Sequence, residues 1–265
     1  MTILVNVYQR LKHWTRFVGL ILCIGFAFAA AESPANEPVK NIIFILTDDQ
    51  RFDELGFVNP VLETPNMDKL AKQGVHFENT FVTTALCSPS RATILTGQYM
   101  HSHGVVDNNK PAKEGSVYFP AYLQEAGYET AFIGKWHMGE GNDKPRPGFD
   151  WFVSHKGQGK YFDTEWNVNG FRHETPKGYY TTVVTDYCLA WLKQRAPNTP
   201  WSLCLGHKAP HSFYFPEPKY EHTFDNVTIR YPDSAFHLET QPRHRNGLLL
   251  TSNPSSSRQE QNLRG

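Results

Sequence analysis

Asn41-Ile42-Ile43-Phe44-Ile45-Leu46-Thr47-Asp48-Asp49-Gln50 runs five apolar residues together and follows them with two carboxylates. An apolar run this short, bounded by polar residues, predicts a strand over residues 41–47 that is buried on both faces, as strands of a parallel sheet are. In open α/β sheets, ligands sit beyond the carboxyl ends of such strands. Asp48 and Asp49 fall at that end, where a hard divalent cation would need carboxylate oxygens. Paired aspartates also make solvated turns and helix caps, so what else reaches the same edge decides between the two.

Further along, helical and extended patterns alternate. Thr64-Pro65 supplies an N-cap and a proline at the first helical position. Met67, Leu70 and Ala71 line one side of the helix and Gly74 ends it. Residues 75–81 read as a short strand, and residues 88–95 as a helix entered through Pro89. A helix over 119–126 is stopped by Gly127, and a strand follows over 128–133. Val184, Tyr187, Cys188 and Trp191 recur at helical spacing within residues 181–194, ahead of a strand over 201–205. Residues 139–178, rich in Gly, Pro, aromatic residues and Lys, read as a long loop or lid near a site. The alternation is that of a layered α/β domain, and no internal repeat is visible.

At 265 residues with 40% hydrophobic content, the chain can bury a core as one domain or as a domain plus appendage. Its formal net charge of zero supplies no pull toward nucleic acid or an anionic membrane. Arg10, Lys12 and Arg16 precede an apolar run over residues 17–31 that closes in Ala29-Ala30-Ala31. That is the order of a secretory signal peptide spanning residues 1–31, and the run is short for a membrane span. An uncleaved anchor is the alternative. Leu22 precedes Cys23 and the run continues past it, which argues against lipidation. Export is therefore expected, to the periplasm or the extracellular space, or into the secretory or lysosomal route of a eukaryote, with no stable membrane span after cleavage. Cys188 and Cys204 either pair in an oxidising compartment or stay as buried thiols. From residue 241 polar residues dominate, and residues 241–265 are expected to form a disordered tail.

Three segments carry the residues suited to chemistry. The first is Cys87-Ser88-Pro89-Ser90-Arg91-Ala92-Thr93-Ile94-Leu95-Thr96-Gly97. Arg91 lies four positions after Cys87, so the two share a helix face, and the free N–H groups at the helix start favour an anion. Gly134-Lys135-Trp136-His137-Met138-Gly139 follows the strand over 128–133, and Lys135 and His137 alternate across a segment read as extended, facing one pocket. Gly206-His207-Lys208-Ala209-Pro210-His211 follows the strand over 201–205. An ammonium binds an anionic oxygen there, and an imidazole moves a proton near neutral pH. His101 and His103, in Tyr99-Met100-His101-Ser102-His103-Gly104, read as structural or pocket-rim residues.

Taken together these segments resemble the type I, formylglycine-dependent sulfatases over residues 41–220. The resemblance implies an alkaline-phosphatase-like α/β fold, a layered sheet sandwiched by helices, of which this chain carries the N-terminal portion. It places an incomplete catalytic domain over residues 38–240. It implies that a formylglycine-generating enzyme, or an equivalent maturation enzyme, oxidises Cys87 to Cα-formylglycine, whose hydrated aldehyde supplies the nucleophile. Asp48, Asp49 and the converted Cys87 would bind one divalent cation, Ca2+ or Mg2+. Arg91 would favour the ionised hydroxyl. Lys135 and Lys208 would contact sulfate oxygens, His137 would take a proton, and His211 would protonate the departing alcohol. Gly148-Phe149-Asp150-Trp151 and Lys156-Gly157-Gln158-Gly159 most resemble sulfatases acting on sulfated sugars, including the N-acetylglucosamine-6-sulfatase group. A sulfated carbohydrate or a small sulfate ester is thus the expected substrate.

Sulfatases are longer, and carry a further Asp with Asn, His or Gln on a later strand, then another lysine. Asp225-Asn226 has no apolar strand before it and no glycine after it, and Asn226-Val227-Thr228 reads as a glycosylation acceptor. The chain therefore looks C-terminally truncated, and by itself weakly active or inactive. Two other functions compete: phosphate- or phosphonate-ester hydrolysis within the same superfamily, and sulfated-glycan binding without turnover.

Overall fold

The structure, a computed structural model, describes residues 40–139 and 141–228. The expected signal peptide at 1–31 and tail at 241–265 lie outside the described residues. Two compact units divide what is described: residues 40–49 with 81–211, and residues 50–80 with 212–228.

The first unit is built on a six-stranded sheet. Its strands are β1 (Ile42–Leu46), β2 (Glu129–Gly134), β3 (Trp151–Ser154), β4 (Trp166–Val168), β5 (Arg172–Glu174) and β6 (Trp201–Gly206), ordered β1-β6-β2-β3-β4-β5. β1, β6, β2 and β3 run parallel, whereas β4 and β5 are antiparallel additions. The alkaline-phosphatase-like α/β layering expected from the sequence is what this unit shows, and side chains alternate across it at the two-residue period of a strand. Ala131, Ile133, Leu203 and Leu205 join Val184, Cys188 and Trp191 on one face. Phe132, Phe152 and Cys204 join Ala92, Leu95, Trp136 and Phe149 on the other. Among the described helices, α2 (Cys87–Thr96), α3 (Met100–His103), α4 (Phe119–Glu125) and α5 (Tyr180–Leu192) belong to this unit. No helix among the described residues is long and apolar enough to cross a membrane.

Three expectations are corrected here. β1 was expected to be buried on both faces, but it is the edge strand. Ile43 and Ile45 are 52% and 54% exposed among the described residues, while Ile42, Phe44 and Leu46 are half-buried. Residues 75–81 form no strand: they carry no ladder, and Val75, Phe77 and Phe81 are exposed. Residues 139–178 are not one long loop, since they supply β3, β4 and β5. These strands are three or four residues long, too short for a period to show through the surrounding glycines and prolines. The open alternative for the cysteines is settled in the same way. Cys188 and Cys204 are free buried thiols, packed in the cores on opposite faces of the sheet, and burial pushes each thiol up to about 12.

The second unit contains α1 (Pro65–Gln73). Thr64 does not cap it by bonding its backbone. Its hydroxyl instead accepts from the Gly56 N–H at 2.7 Å and donates to Asp68 Oδ1 at 2.6 Å. A Cβ at Gly56 would stand 2.8 Å from the Leu62 carbonyl oxygen, so this close approach of the backbone favours glycine. Met67 and Leu70 are exposed among the described residues.

The aromatic cluster beneath α2 and α4 gives a direct test of where stability resides. Phe152 is fully buried and packs on Phe132, Trp136 and Phe149 with ring centroids 5.2, 5.4 and 5.8 Å away. Phe152→Ala should lower unfolding free energy in a urea titration by about 3–5 kcal/mol. Phe171→Ala, at a ring 81% exposed, should change it by no more than about 0.5 kcal/mol.

Candidate active site

Leu46, Gly206 and Gly134 stand side by side at the carboxyl ends of β1, β6 and β2, so the residues that follow emerge together. A Cβ on Gly134 would collide with the Gly206 carbonyl, and one on Gly206 would stand 2.7 Å from the Lys135 carbonyl oxygen. Only bare backbone permits this approach. The junction is closed by main-chain bonds: Lys135 N–H to the Gly206 carbonyl at 2.9 Å, His207 N–H to Leu46 at 2.8 Å, and Asp48 N–H to Ala209 at 3.1 Å.

Asp48 is buried at the centre. Lys135, itself fully buried, donates to its Oδ2, and Arg91 Nη2 lies 3.6 Å from Oδ1. Burial by itself would raise the Asp48 carboxyl, but Arg91 and Lys135 outweigh it and hold the carboxyl below its ordinary value. Burial lowers the Lys135 ammonium, with Asp48 restoring part of the loss. Arg91 also donates to the Lys135 carbonyl at 2.7 Å and the His207 carbonyl at 3.4 Å. One guanidinium therefore ties α2 to the segments leaving β2 and β6, a fork that the single ammonium of a lysine cannot reproduce.

Cys87 is the first residue of α2, with Sγ 3.6 Å from Asp48 Oδ1. Burial pushes its thiol up, Lys135 pulls it down, and the two aspartates push it up again, leaving it above its ordinary value. An unmodified Cys87 is thus a poor thiolate nucleophile. Asp48, Cys87 and His211 bring donor atoms within 4.8 Å of one another, and His211 Nε2 lies 3.6 Å from Asp49 Oδ2. Asp49 sits in the left-handed region at φ 61°, which is uncommon outside glycine and turns its half-exposed carboxylate toward His211.

Adjacent carboxylates are oxygen donors of the kind a hard cation such as Ca2+ or Mg2+ takes. A soft sulfur does not belong with them, whereas an oxygen-bearing side chain at position 87 would. In donor chemistry the carboxylates of Asp48 and Asp49 fit a hard cation, and an oxygen at position 87 would fit beside them.

Other expected site residues fall at the same edge. Lys208 is buried with its ammonium 5.0 Å from the Tyr161 ring centroid, and burial, then Lys135, lowers it. His137 is buried, and its carbonyl accepts from Ser88 Oγ. Its φ of 50° breaks the extended segment expected across Lys135 and His137. His103 is structural: Nδ1 accepts from the Val105 N–H and Nε2 pairs with Thr93 Oγ1, both at 3.1 Å. The loop after β3 brings in residues to which the sequence assigned no role. Gln158 Oε1 accepts from Lys135 Nζ, and the Tyr161 hydroxyl donates to the His211 carbonyl. No periodic pattern marks either one.

The family model described as Sulfatase matches residues 40–253. An N-acetylglucosamine-6-O-sulfatase of Bacteroides thetaiotaomicron is 36% identical over 223 residues, 82% of this chain and 39% of that protein. The N-acetylglucosamine-6-sulfatase of Homo sapiens is 30% identical over 231 residues, 78% of this chain and 41% of that one. A protein solved in complex with its substrate, D-glucosamine-2-N,6-O-disulfate, matches with a TM-score of 0.70 at 37% identity, over 75% of this chain and 40% of that one. The chain spans about two fifths of the length of these relatives.

Burial also gives the site a pH signature. It holds the His155 imidazole down at about 3 and His207 at about 4, against roughly 6.5 for an unfolded histidine. Between those values the unfolded chain binds more protons than the folded one, so stability falls as pH falls. Urea unfolding at pH 7 and pH 4.5 should show a loss on the order of 1–3 kcal/mol per buried histidine. His155→Gln should shrink that difference, and an unchanged difference would contradict neutral burial of this ring.

Proposed function

Because this chain belongs to the sulfatase family, we propose that it acts in the hydrolysis of sulfate esters of a sugar, with residue 87 carrying the nucleophile. The observation that supports this most is the charge at the strand ends. Three cationic side chains, Arg91, Lys135 and Lys208, gather around Asp48 with residue 87 in contact. Asp49 adds the second carboxylate, so the positive groups outnumber the negative ones and suit a sulfate monoanion.

Converted to formylglycine by a separate maturation enzyme, residue 87 would supply a hydroxyl from its hydrated aldehyde, and a second hydroxyl through which sulfate is later released. A divalent cation, Ca2+ or Mg2+, held by Asp48, Asp49 and that oxygen would lower the cost of ionising the hydroxyl. The remaining roles fall to this chain's own side chains. Lys135 and Lys208 hold sulfate oxygens. Arg91 keeps Asp48 ionised and fixes the segments on either side of it. His211 gives a proton to the alcohol oxygen as the sulfur–oxygen bond of the ester breaks, and His137 takes a proton when sulfate is expelled. As sulfate left, the aldehyde would re-form and one water would rehydrate it, so that one ester and one water are consumed and one alcohol and one sulfate formed.

Relatives that carry N-acetylglucosamine-6-sulfatase names, and the one solved with glucosamine disulfate, support a sulfated amino sugar as substrate. The basic, apolar and small-residue order within residues 10–31 supports export.

Protein produced together with a formylglycine-generating enzyme should lose its thiol at residue 87 by peptide mass. Any release of sulfate from glucosamine-6-sulfate, weak as the sequence leads one to expect, should be abolished by Cys87→Ala. Lys135→Ala should lower kcat/KM about a hundredfold or more. Faster cleavage of an aryl phosphate than of the matching sulfate would assign it to phosphoester chemistry. Binding of sulfated glycan with no turnover, and an intact thiol at residue 87, would reduce it to a binding protein.

A further inference from the structure

Four parallel strands end at the site edge, and three of them, β1, β2 and β6, lead into Asp48, Lys135 and Lys208. The fourth, β3, ends at Ser154 and leads into a loop whose side chains reach both halves of the site. That loop is firmly seated. His155 Nε2 pairs with the Tyr180 hydroxyl at 2.8 Å, and this hydroxyl also lies 3.3 Å from the Gly206 carbonyl. A Cβ on Gly159 would stand 2.7 Å from the His155 ring, so the backbone is pressed against that imidazole. Thr164 Oγ1 closes the far end, accepting from the Lys160 N–H at 3.0 Å and donating to the Lys160 carbonyl at 2.7 Å.

From this seat two side chains extend. Gln158 presents its amide oxygen to Lys135 Nζ, opposite Asp48, so the ammonium is held between a carboxylate and an amide. Tyr161, 6% exposed, reaches the turn Lys208-Ala209-Pro210-His211 at both ends. Its ring lies under the Lys208 ammonium and its hydroxyl donates to the His211 carbonyl. The turn is closed by its own bond from the His211 N–H to the Lys208 carbonyl at 3.0 Å, and its middle is fastened to the Asp48 N–H through the Ala209 carbonyl. Tyr179 stacks on the Tyr161 ring at 5.7 Å. Phenylalanine would fill this buried space equally well. The hydroxyl is what reaches the main chain of His211.

Building on the sulfatase reading above, we propose that Tyr161 and Gln158 are positioning residues for the reaction. Tyr161 sets the distance between the sulfate-binding Lys208 and the proton donor His211, and Gln158 sets the place of Lys135. The two act on different halves of the chemistry. Displacing His211 impairs proton delivery to a leaving alcohol, which a sugar needs and a nitrophenolate does not. Displacing Lys135 weakens the hold on sulfate itself, whatever the leaving group.

Three variants separate these effects: Tyr161→Phe removes the hydroxyl alone, Tyr161→Leu removes hydroxyl and ring, and Gln158→Met removes the acceptor. Each would be compared with the parent on glucosamine-6-sulfate and on p-nitrophenyl sulfate. Inorganic sulfate binding would be measured alongside by calorimetry, which requires no turnover. Tyr161→Phe should lower kcat on the sugar sulfate about tenfold or more, with little change on p-nitrophenyl sulfate and none in sulfate affinity. Gln158→Met should weaken sulfate binding several-fold and raise KM for both substrates by the same factor. Tyr161→Leu should combine the two losses. Equal slowing of both substrates by Tyr161→Phe, or unchanged sulfate affinity in Gln158→Met, would overturn the proposal while leaving the sulfatase reading intact. A parent protein that neither binds sulfate nor releases it would overturn both.

Discussion

The ionised carboxylate of Asp48, buried between Arg91 and Lys135, is the interaction on which the rest of the structure depends. An uncompensated charge in such a place is destabilising by several kcal/mol, so these side chains enter the interior together or not at all. Arg91 has donors left over, and the nearest acceptors are the carbonyls of Lys135 and His207. Satisfying them draws the ends of β2 and β6 against α2, which is possible only because Gly134 and Gly206 carry no side chain. Chain crossing, buried ion pair and site are one arrangement, and none of the three stands without the others.

The same arrangement explains why the cysteine at its centre is not poised as a thiolate. Burial and two neighbouring carboxylates raise it, and the nearby cations do not fully compensate. Those cations are already engaged by Asp48. An oxygen at this position would meet cations that suit it.

Much of this was legible in the residues. The apolar run ahead of Asp48 announced a strand and its functional end, and Cys87 and Arg91 share a helix face as their spacing requires. Lys135, Lys208 and His211 lie beyond strand ends that the alternation of patterns located. The sheet beyond β2 leaves no such pattern. β3, β4 and β5 are too short to show a period, and their turn, Asn169-Gly170 with φ of 52° and 75°, was a hairpin signal that the density of glycine and proline obscured. The edge position of β1 was hidden as well, since an apolar run records hydrophobicity and not which neighbours cover it. Gln158 stands in a stretch that the family resemblance picks out, but its contact with Lys135, like that of Tyr161 with His211, depends on how the loop after β3 folds back, which no spacing or period encodes.

The sheet keeps its two cores apart. Val184, Cys188 and Trp191 of α5 pack on one face, while α2, which begins with Cys87, packs on the other. Beyond its first residue, Tyr180, α5 contributes none of the side chains named at the strand ends. An engineer seeking a more heat-tolerant variant therefore has a whole hydrophobic layer to redesign, with the central sheet standing as a partition between the altered packing and the reacting groups.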